Sequence, residues 1–225
     1  MKEEIKTMCV KCPQNPCYLE PEVKRPKFCP SQTKPKIIEE AIKEYDNPEI
    51  LKFAQAASRQ ERDGYLRPSA VVHPIKCRVE EIMEFAERMG YKKLGIAFCV
   101  GLKHEASTLT HVLEARGFDV VSVCCKCGGV DKGNIGLKDE EKIVPGRHES
   151  MCNPIGQANI LNDEKTEFNI VLGLCVGHDS LFFKYSKAWT TVLAAKDRLL
   201  GHNPLAALYT SGSYYARLVG EPREL

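Results

Sequence analysis

Phe168-Asn-Ile-Val-Leu-Gly-Leu-Cys175, followed at once by Val176-Gly-His-Asp-Ser180, decides the architecture of this chain. The first eight residues form an apolar, β-branched run of strand length, and an amphipathic segment opens directly behind them, so the stretch reads as strand, tight turn and helix start. Cys175 therefore ends a strand. His178 and Asp179 sit at or beside the N-terminus of the next helix, where unsatisfied backbone N–H groups and the helix dipole favour negative charge, a thiolate included.

The same pattern recurs along the chain. Residues 93–99 predict a strand, 103–116 a helix ending at Gly117, and 119–124 a second strand. A helix follows over 152–162, a third strand over 168–175, a helix over 180–187, a fourth strand over 189–195 and a last helix over 204–215. Strands alternating with helices predict a Rossmann-like three-layer α/β domain with a mainly parallel four-stranded sheet. Right-handed crossovers with one reversal give the order second, first, third, fourth, and so bring the ends of the first and third strands together at the switch point.

The chain has 225 residues, enough for one large domain or a domain with a small appendage. Its 32 Lys and Arg against 30 Asp and Glu leave a net charge of +2, so bulk electrostatics favour neither nucleic acid nor a membrane surface. No apolar run approaches the roughly 20 residues of a membrane helix, and no secretory-type start is visible, so a cytoplasmic protein is expected. Eleven cysteines in a chain able to form its own core point to metal binding or thiol chemistry rather than a disulfide scaffold.

Four of those cysteines lie in the first 29 residues, as Cys9-Val-Lys-Cys12, Cys17 and Cys29-Pro30, among prolines at 13, 16, 21, 26 and 30. Such a segment cannot build an apolar core, whereas four thiolates around an ion or cluster would supply roughly 10 kcal/mol or more, as in a structural zinc site. The spacing C-x2-C-x4-C-x11-C speaks for metal more than for a particular metal. Zinc usually takes two close pairs, and the terminal Cys-Pro is a feature of bacterial ferredoxin runs, which puts a 4Fe-4S cluster somewhat ahead of zinc. Residues 1–33 are thus expected to form a cysteine-rich metal-binding module, and 34–225 the α/β domain with two helices in front. Those helices are expected over 35–45 and from Asn47-Pro48 onward, a charged wrapping segment over 59–74, and a helix over 75–89 that buries Cys77.

In an open α/β sheet, ligands bind outside the carboxyl ends of the strands. Cys99, Cys124, Cys125 and Cys175 end strands, Cys127 follows in a loop and Cys152 opens a helix running back from the same edge. Thiolates crowded there repel one another unless a cation or cluster neutralises them, and sulfur ligands select zinc, cuprous ion or iron–sulfur. The expected ligands of a second centre are Cys99, Cys124, Cys127, Cys152 and Cys175. With fewer ligands, Cys125 or Cys127 becomes a nucleophile or persulfide carrier, with Lys126 lowering its pKa. His178 and Lys196 are further candidates for chemistry. Asp179 reads equally as a helix cap, and Lys196-Asp-Arg198 as an anion site or an internal ion pair. His202-Asn-Pro204 reads as the start of the last helix, capped by Asn203. No phosphate-binding fingerprint is present.

Cys9-x2-Cys12-x4-Cys17, Cys124-Cys-Lys-Cys127, Cys152-Asn-Pro-Ile155 and Gly173-Leu-Cys-Val-Gly-His-Asp-Ser-Leu-Phe-Phe-Lys-Tyr-Ser-Lys187, continuing to Lys196-Asp-Arg-Leu-Leu-Gly-His-Asn-Pro204, carry a resemblance over nearly the whole chain. The chain resembles a prokaryotic family of unknown function labelled as metal-binding. That resemblance implies metal binding through cysteines and no particular reaction. The expected function is an iron–sulfur protein doing redox or sulfur-transfer chemistry, its N-terminal cluster relaying electrons and its partner a redox protein or a small anionic or sulfur-containing substrate. A non-catalytic zinc carrier, sensor or assembly factor is the alternative, and a zinc hydrolase using His178 and Asp179 a weaker one.

Overall fold

Prolines punctuate the first sixty residues, and each α-helix described there begins on one, where a missing N–H costs nothing and φ is already helical. In the computed structural model, which describes residues 5–13, 16–19, 24–66 and 71–220, these are α1 (Pro16–Leu19), α2 (Pro30–Thr33), α3 (Pro35–Lys43) and α4 (Pro48–Asp63). Asn47 caps α4, its Oδ1 accepting the Glu49 N–H at 2.9 Å. Contacts divide the chain into two compact units, Met1–Asp63 and Gly64–Leu225, so α3 and α4 are grouped with the cysteine-rich segment, whereas the sequence suggested a boundary at 33/34.

The second unit opens with a short antiparallel pair, β1 (Tyr65–Leu66) and β2 (His73–Pro74), and α5 (Arg78–Met89). The alternating series follows: β3 (Lys93–Phe98), α6 (Lys103–Ala115), β4 (Asp119–Cys124), α7 (Pro154–Asp163), β5 (Phe168–Leu172), α8 (His178–Tyr185), β6 (Trp189–Ala194) and α9 (Leu205–Tyr209). The four long strands are parallel and run in the order β4-β3-β5-β6, which is the order the crossover rule predicts. The connection through α6 steps one way along the sheet and those through α7 and α8 step the other way, so right-handedness puts α6 on one face and α7 with α8 on the other.

The pleat divides the strand residues accordingly. Ala97, Val123 and Val171 meet Ala158 and Leu161 of α7 and Phe182 of α8, and the last three are completely buried. Phe168 points to the opposite face, where its ring lies 5.4 Å from Phe85 of α5 and 5.8 Å from Tyr91. Full burial of a Leu, Ile or Phe side chain contributes about 1.5–3 kcal/mol, so the two faces hold the sheet between its helices. Gly95 admits a buried polar group: it pairs with Asn169 across β3 and β5, and a Cβ there would collide with Asn169 Oδ1. Asn169 in turn donates to Ser186 Oγ at 2.9 Å and accepts from Thr166 Oγ1 at 2.8 Å.

Several boundaries differ from expectation. The helix expected over 75–89 starts at Arg78, with Cys77 in extended conformation before it, and Cys77 is exposed rather than buried. Its N–H binds Glu80 Oε2 at 2.7 Å, so the capping contact, not the apolar face, fixes this residue. The helix expected over 204–215 stops at Tyr209, where Thr210, Ser211 and Ser213 turn their hydroxyls onto nearby carbonyls and compete with helical continuation. The 59–74 segment is shared between the end of α4 and the β1–β2 pair; residues 67–70 lie outside the described ones. Among the described residues no helix is long and apolar enough to cross a membrane.

Candidate functional site

Strands β3 and β5 stop before their cysteines, and two glycine turns, before and after Cys175, shape the β5–α8 connection. After Leu172 the backbone passes through Gly173 at φ +69°, and a Cβ there would strike Leu102 Cδ1. Only glycine allows β5 to turn this closely over the segment that follows β3. Cys175 comes next, its carbonyl accepting the N–H groups of His178 and Asp179 at 3.0 and 3.1 Å as α8 begins. Gly177, at φ +82°, is the N-cap of α8, so Asp179 lies inside the helix and does not cap it. Cys99 is tied to the edge by its N–H to Leu172 O (3.1 Å), and Cys125 by its N–H to Phe98 O (2.8 Å). Cys152 reaches the same edge because Asn153 donates its N–H to Cys125 O at 2.7 Å before capping α7 through Oδ1.

These four cysteines line one cavity of about 470 Å³ at the carboxyl edge of the sheet. Cys125 and Cys152 have their sulfurs 3.9 Å apart, and the Val100 N–H approaches Cys125 Sγ at 3.3 Å. The Cys125 thiol holds the Cys152 pKa down to about 5 through their hydrogen bond, against burial and with help from the charges of Lys126 and His178. The same bond, followed by burial, pushes Cys125 far up, so the pair holds one thiolate and one thiol at neutral pH. Cys175 Sγ receives Arg198 Nη2 at 3.1 Å.

Cys124 and Cys127 do not line the cavity. Both pack against the edge of the core, where burial and then the nearby Cys124 raise the Cys127 pKa and Cys127 Sγ faces Asn153 O at 3.7 Å. Of the five expected ligands, then, Cys99, Cys152 and Cys175 converge, and Cys125 stands where Cys124 was expected. His178 and Lys196 line the cavity as well, and His178 Nδ1 is buried with no hydrogen-bond partner among the described residues. Asp197 accepts the N–H groups of Leu199 and Leu200 at 3.0 and 2.8 Å, so it shapes its own turn instead of pairing with Lys196 or Arg198. His202 takes the left-handed conformation and its Nδ1 receives the Asp197 N–H at 3.2 Å, while Pro204 rather than Asn203 is the N-cap of α9.

The remaining wall is residues 125–153, of which the sequence suggested only a loop carrying Cys127. It is internally braced. Asp131 accepts the N–H groups of Gly133 (2.8 Å) and Glu149 (2.9 Å), and Lys142 and His148 approach it at 3.4 and 3.2 Å. Lys132 pairs with Glu149, Met151 donates its N–H to Val130 O at 2.7 Å, and Lys126 donates to Ser150 O. This brings Ile135, Leu137, Ile143 and Met151 to the cavity. The available signal was length: connections beyond about 12–15 residues are uncommon unless they serve a site. Gln157 was also missed. It is fully buried and donates Nε2 to Phe98 O (3.2 Å) and Val123 O (2.7 Å), pinning α7 to the ends of β3 and β4 from which Cys99 and Cys125 emerge.

In the first unit, Cys29 is 5% exposed, Cys12 is half-buried, and Cys9 and Cys17 are exposed. Cys17 Sγ lies 3.8 Å from Ser31 Oγ. Burial acts to raise the Cys29 pKa, but the Ser31 hydroxyl and the N–H groups of Ser31 and Gln32, with Arg25, bring it below its ordinary value. Among the described residues, no three His, Cys, Asp or Glu side chains are grouped closely enough to hold a metal ion as they stand.

Fold and site together define a cysteine-rich, Rossmann-like α/β protein with a thiol-lined cavity at the carboxyl edge of its sheet. The chain belongs to the family described as protein of unknown function (DUF1847), whose model matches residues 29–193. It is 44% identical over 209 residues to uncharacterized protein MJ0455 of Methanocaldococcus jannaschii, covering 93% of this chain and 96% of that one. No solved structure matches.

Proposed function

We propose that the cavity is a cysteine-ligated iron–sulfur centre serving redox or sulfur-transfer chemistry. The observation that carries this reading is the convergence of Cys99, Cys125, Cys152 and Cys175, from four separate points of the chain, on one cavity. The donor set fits the group: thiolates are soft ligands, and several at close quarters need a cationic centre between them. As they stand, the four thiols share the cavity without closing on one point among the described residues. Bound there, the cluster would supply one-electron chemistry or a site for sulfide. The chain's own contribution is to hold Cys152 ionised beside Lys126 and His178, to keep Cys175 under Arg198, and to limit water with residues 125–153. We extend the proposal to a second centre at Cys9, Cys12, Cys17 and Cys29 that relays electrons, to a redox protein or a small anionic or sulfur-containing substrate as partner, and to a cytoplasmic setting that keeps thiols reduced.

Anaerobic isolation followed by iron and acid-labile sulfide analysis and an absorption spectrum tests this. Brown protein with both elements is expected, whereas colourless, iron-free protein would end the reading. One observation favours a second reading, a zinc carrier, sensor or assembly factor. Cys125 and Cys152 stand 3.9 Å apart, near the spacing of about 3.8 Å that two thiolates have on a tetrahedral zinc with 2.3 Å bonds. Zinc recovered in place of iron, removable by a chelator without loss of fold, would favour it.

A further inference from the structure

At the end of β6 the chain turns through Lys196-Asp-Arg198, and both cations line the cavity. The Lys196 N–H donates to Leu174 O at 3.2 Å, which fixes the turn beside Cys175. Its ammonium lies over Gly101, where an added Cβ would stand 3.5 Å away, and it has no ion-pair partner among the described residues. Arg198 spends one N–H on Cys175 Sγ, and a guanidinium has four more to offer. The nearby carboxylates do not balance these charges: Asp197 is turned onto the N–H groups of Leu199 and Leu200, and Glu149 is held by Lys132 and the Ile143 N–H. The facing wall carries the apolar side chains of Ile135, Leu137, Ile143 and Met151, beside the Lys132–Glu149 pair and Lys126, which donates to Ser150 O.

We propose that the cavity binds a small organic anion, its acidic head between Lys196 and Arg198 and its apolar body against Ile135, Leu137, Ile143 and Met151. An inorganic anion would satisfy the cations and leave the apolar wall uncovered. A neutral apolar molecule would cover the wall and leave a half-buried ammonium unmatched, which is costly. The volume of about 470 Å³ lies within the range of small-ligand sites. The inference rests on reading this cavity as the functional centre, and it names the class of molecule brought to it.

Calorimetric titration of the full chain with straight-chain alkanoates from acetate to octanoate, beside sulfate and hexanol, tests it. Affinity is expected to rise about three- to fourfold per methylene until the cavity is filled. Lys196→Met should weaken hexanoate at least tenfold and Lys196→Arg should restore it, while Ile143→Ser flattens the chain-length dependence and leaves acetate unchanged. Sulfate or hexanol binding as tightly as hexanoate would overturn the proposal. So would full hexanoate affinity in a Lys196→Met protein that melts at the wild-type temperature. Iron-containing protein that ignores hexanoate sinks this inference alone; iron-free protein that binds it sinks the cluster and leaves the anion site standing.

Discussion

Cys152 precedes the Asn153 cap of α7, and its environment sets it apart from Cys125 beside it. With its pKa lowered to about 5, it is ionised across the neutral range, whereas Cys125 beside it stays protonated. In protein stripped of metal, Cys152 should therefore alkylate with a rate midpoint near pH 5, read by mass spectrometry, and Cys125 should stay unmodified beyond pH 8. Cys125→Ala removes the largest stabilising contact and should move the Cys152 midpoint up; an unchanged midpoint would mean that Lys126 and His178 carry the effect. Gly173 is a second single-residue control. Gly173→Ala adds a Cβ at φ +69° against Leu102, so it should cost about 2–4 kcal/mol from left-handed strain and overpacking combined, seen as a lower denaturation midpoint. Sequence alone marked Cys175 and the glycine before it as a strand end, yet gave no means of knowing that Leu102 is the residue the glycine must clear.

Among the elements, the 125–153 connection is the one whose order has a pH signature. The N–H groups of Gly133 and then Glu149 hold the Asp131 carboxylate at a pKa of about 2, with Lys142 adding to them. A carboxylate depressed in the folded state contributes stability that is fully present above its unfolded pKa, about 4, and is lost as pH falls through 2. Amide exchange in residues 130–151 should therefore stay slow at pH 4 and quicken towards pH 2. Asp131→Asn, which keeps the shape but weakens acceptance from two N–H groups, should speed exchange in this segment at pH 7 while leaving β3 and β5 protected. Equal loss of protection in the strands would show that the connection is not a separate unit. Its order was hidden from the sequence because it rests on Asp131, Lys132, Lys142 and Glu149, charged residues whose spacing matches neither helix nor strand period.

For the molecule as a whole, ten of the eleven cysteines fall into two sets, four in the first unit and six in the second, with Cys77 apart. If both proposed centres hold iron, Cys99→Ala or Cys175→Ala should abolish the one in the α/β unit and spare the N-terminal one, halving iron rather than removing it. Loss of all iron from either variant would mean that the ligands have been divided wrongly between the sets. The sequence by itself determined the alternation of strand and helix, the sheet order and the edge on which the cysteines gather, because these follow from hydrophobic period and from the handedness of crossovers, both local properties of an L-amino-acid chain. Which sulfurs share the cavity was left to tertiary structure. Successive residues at a strand end diverge, so Cys124 and Cys125 part company there, and only the packing of α7, held by Gln157 and Asn153, decides that Cys125 is the one that meets Cys152.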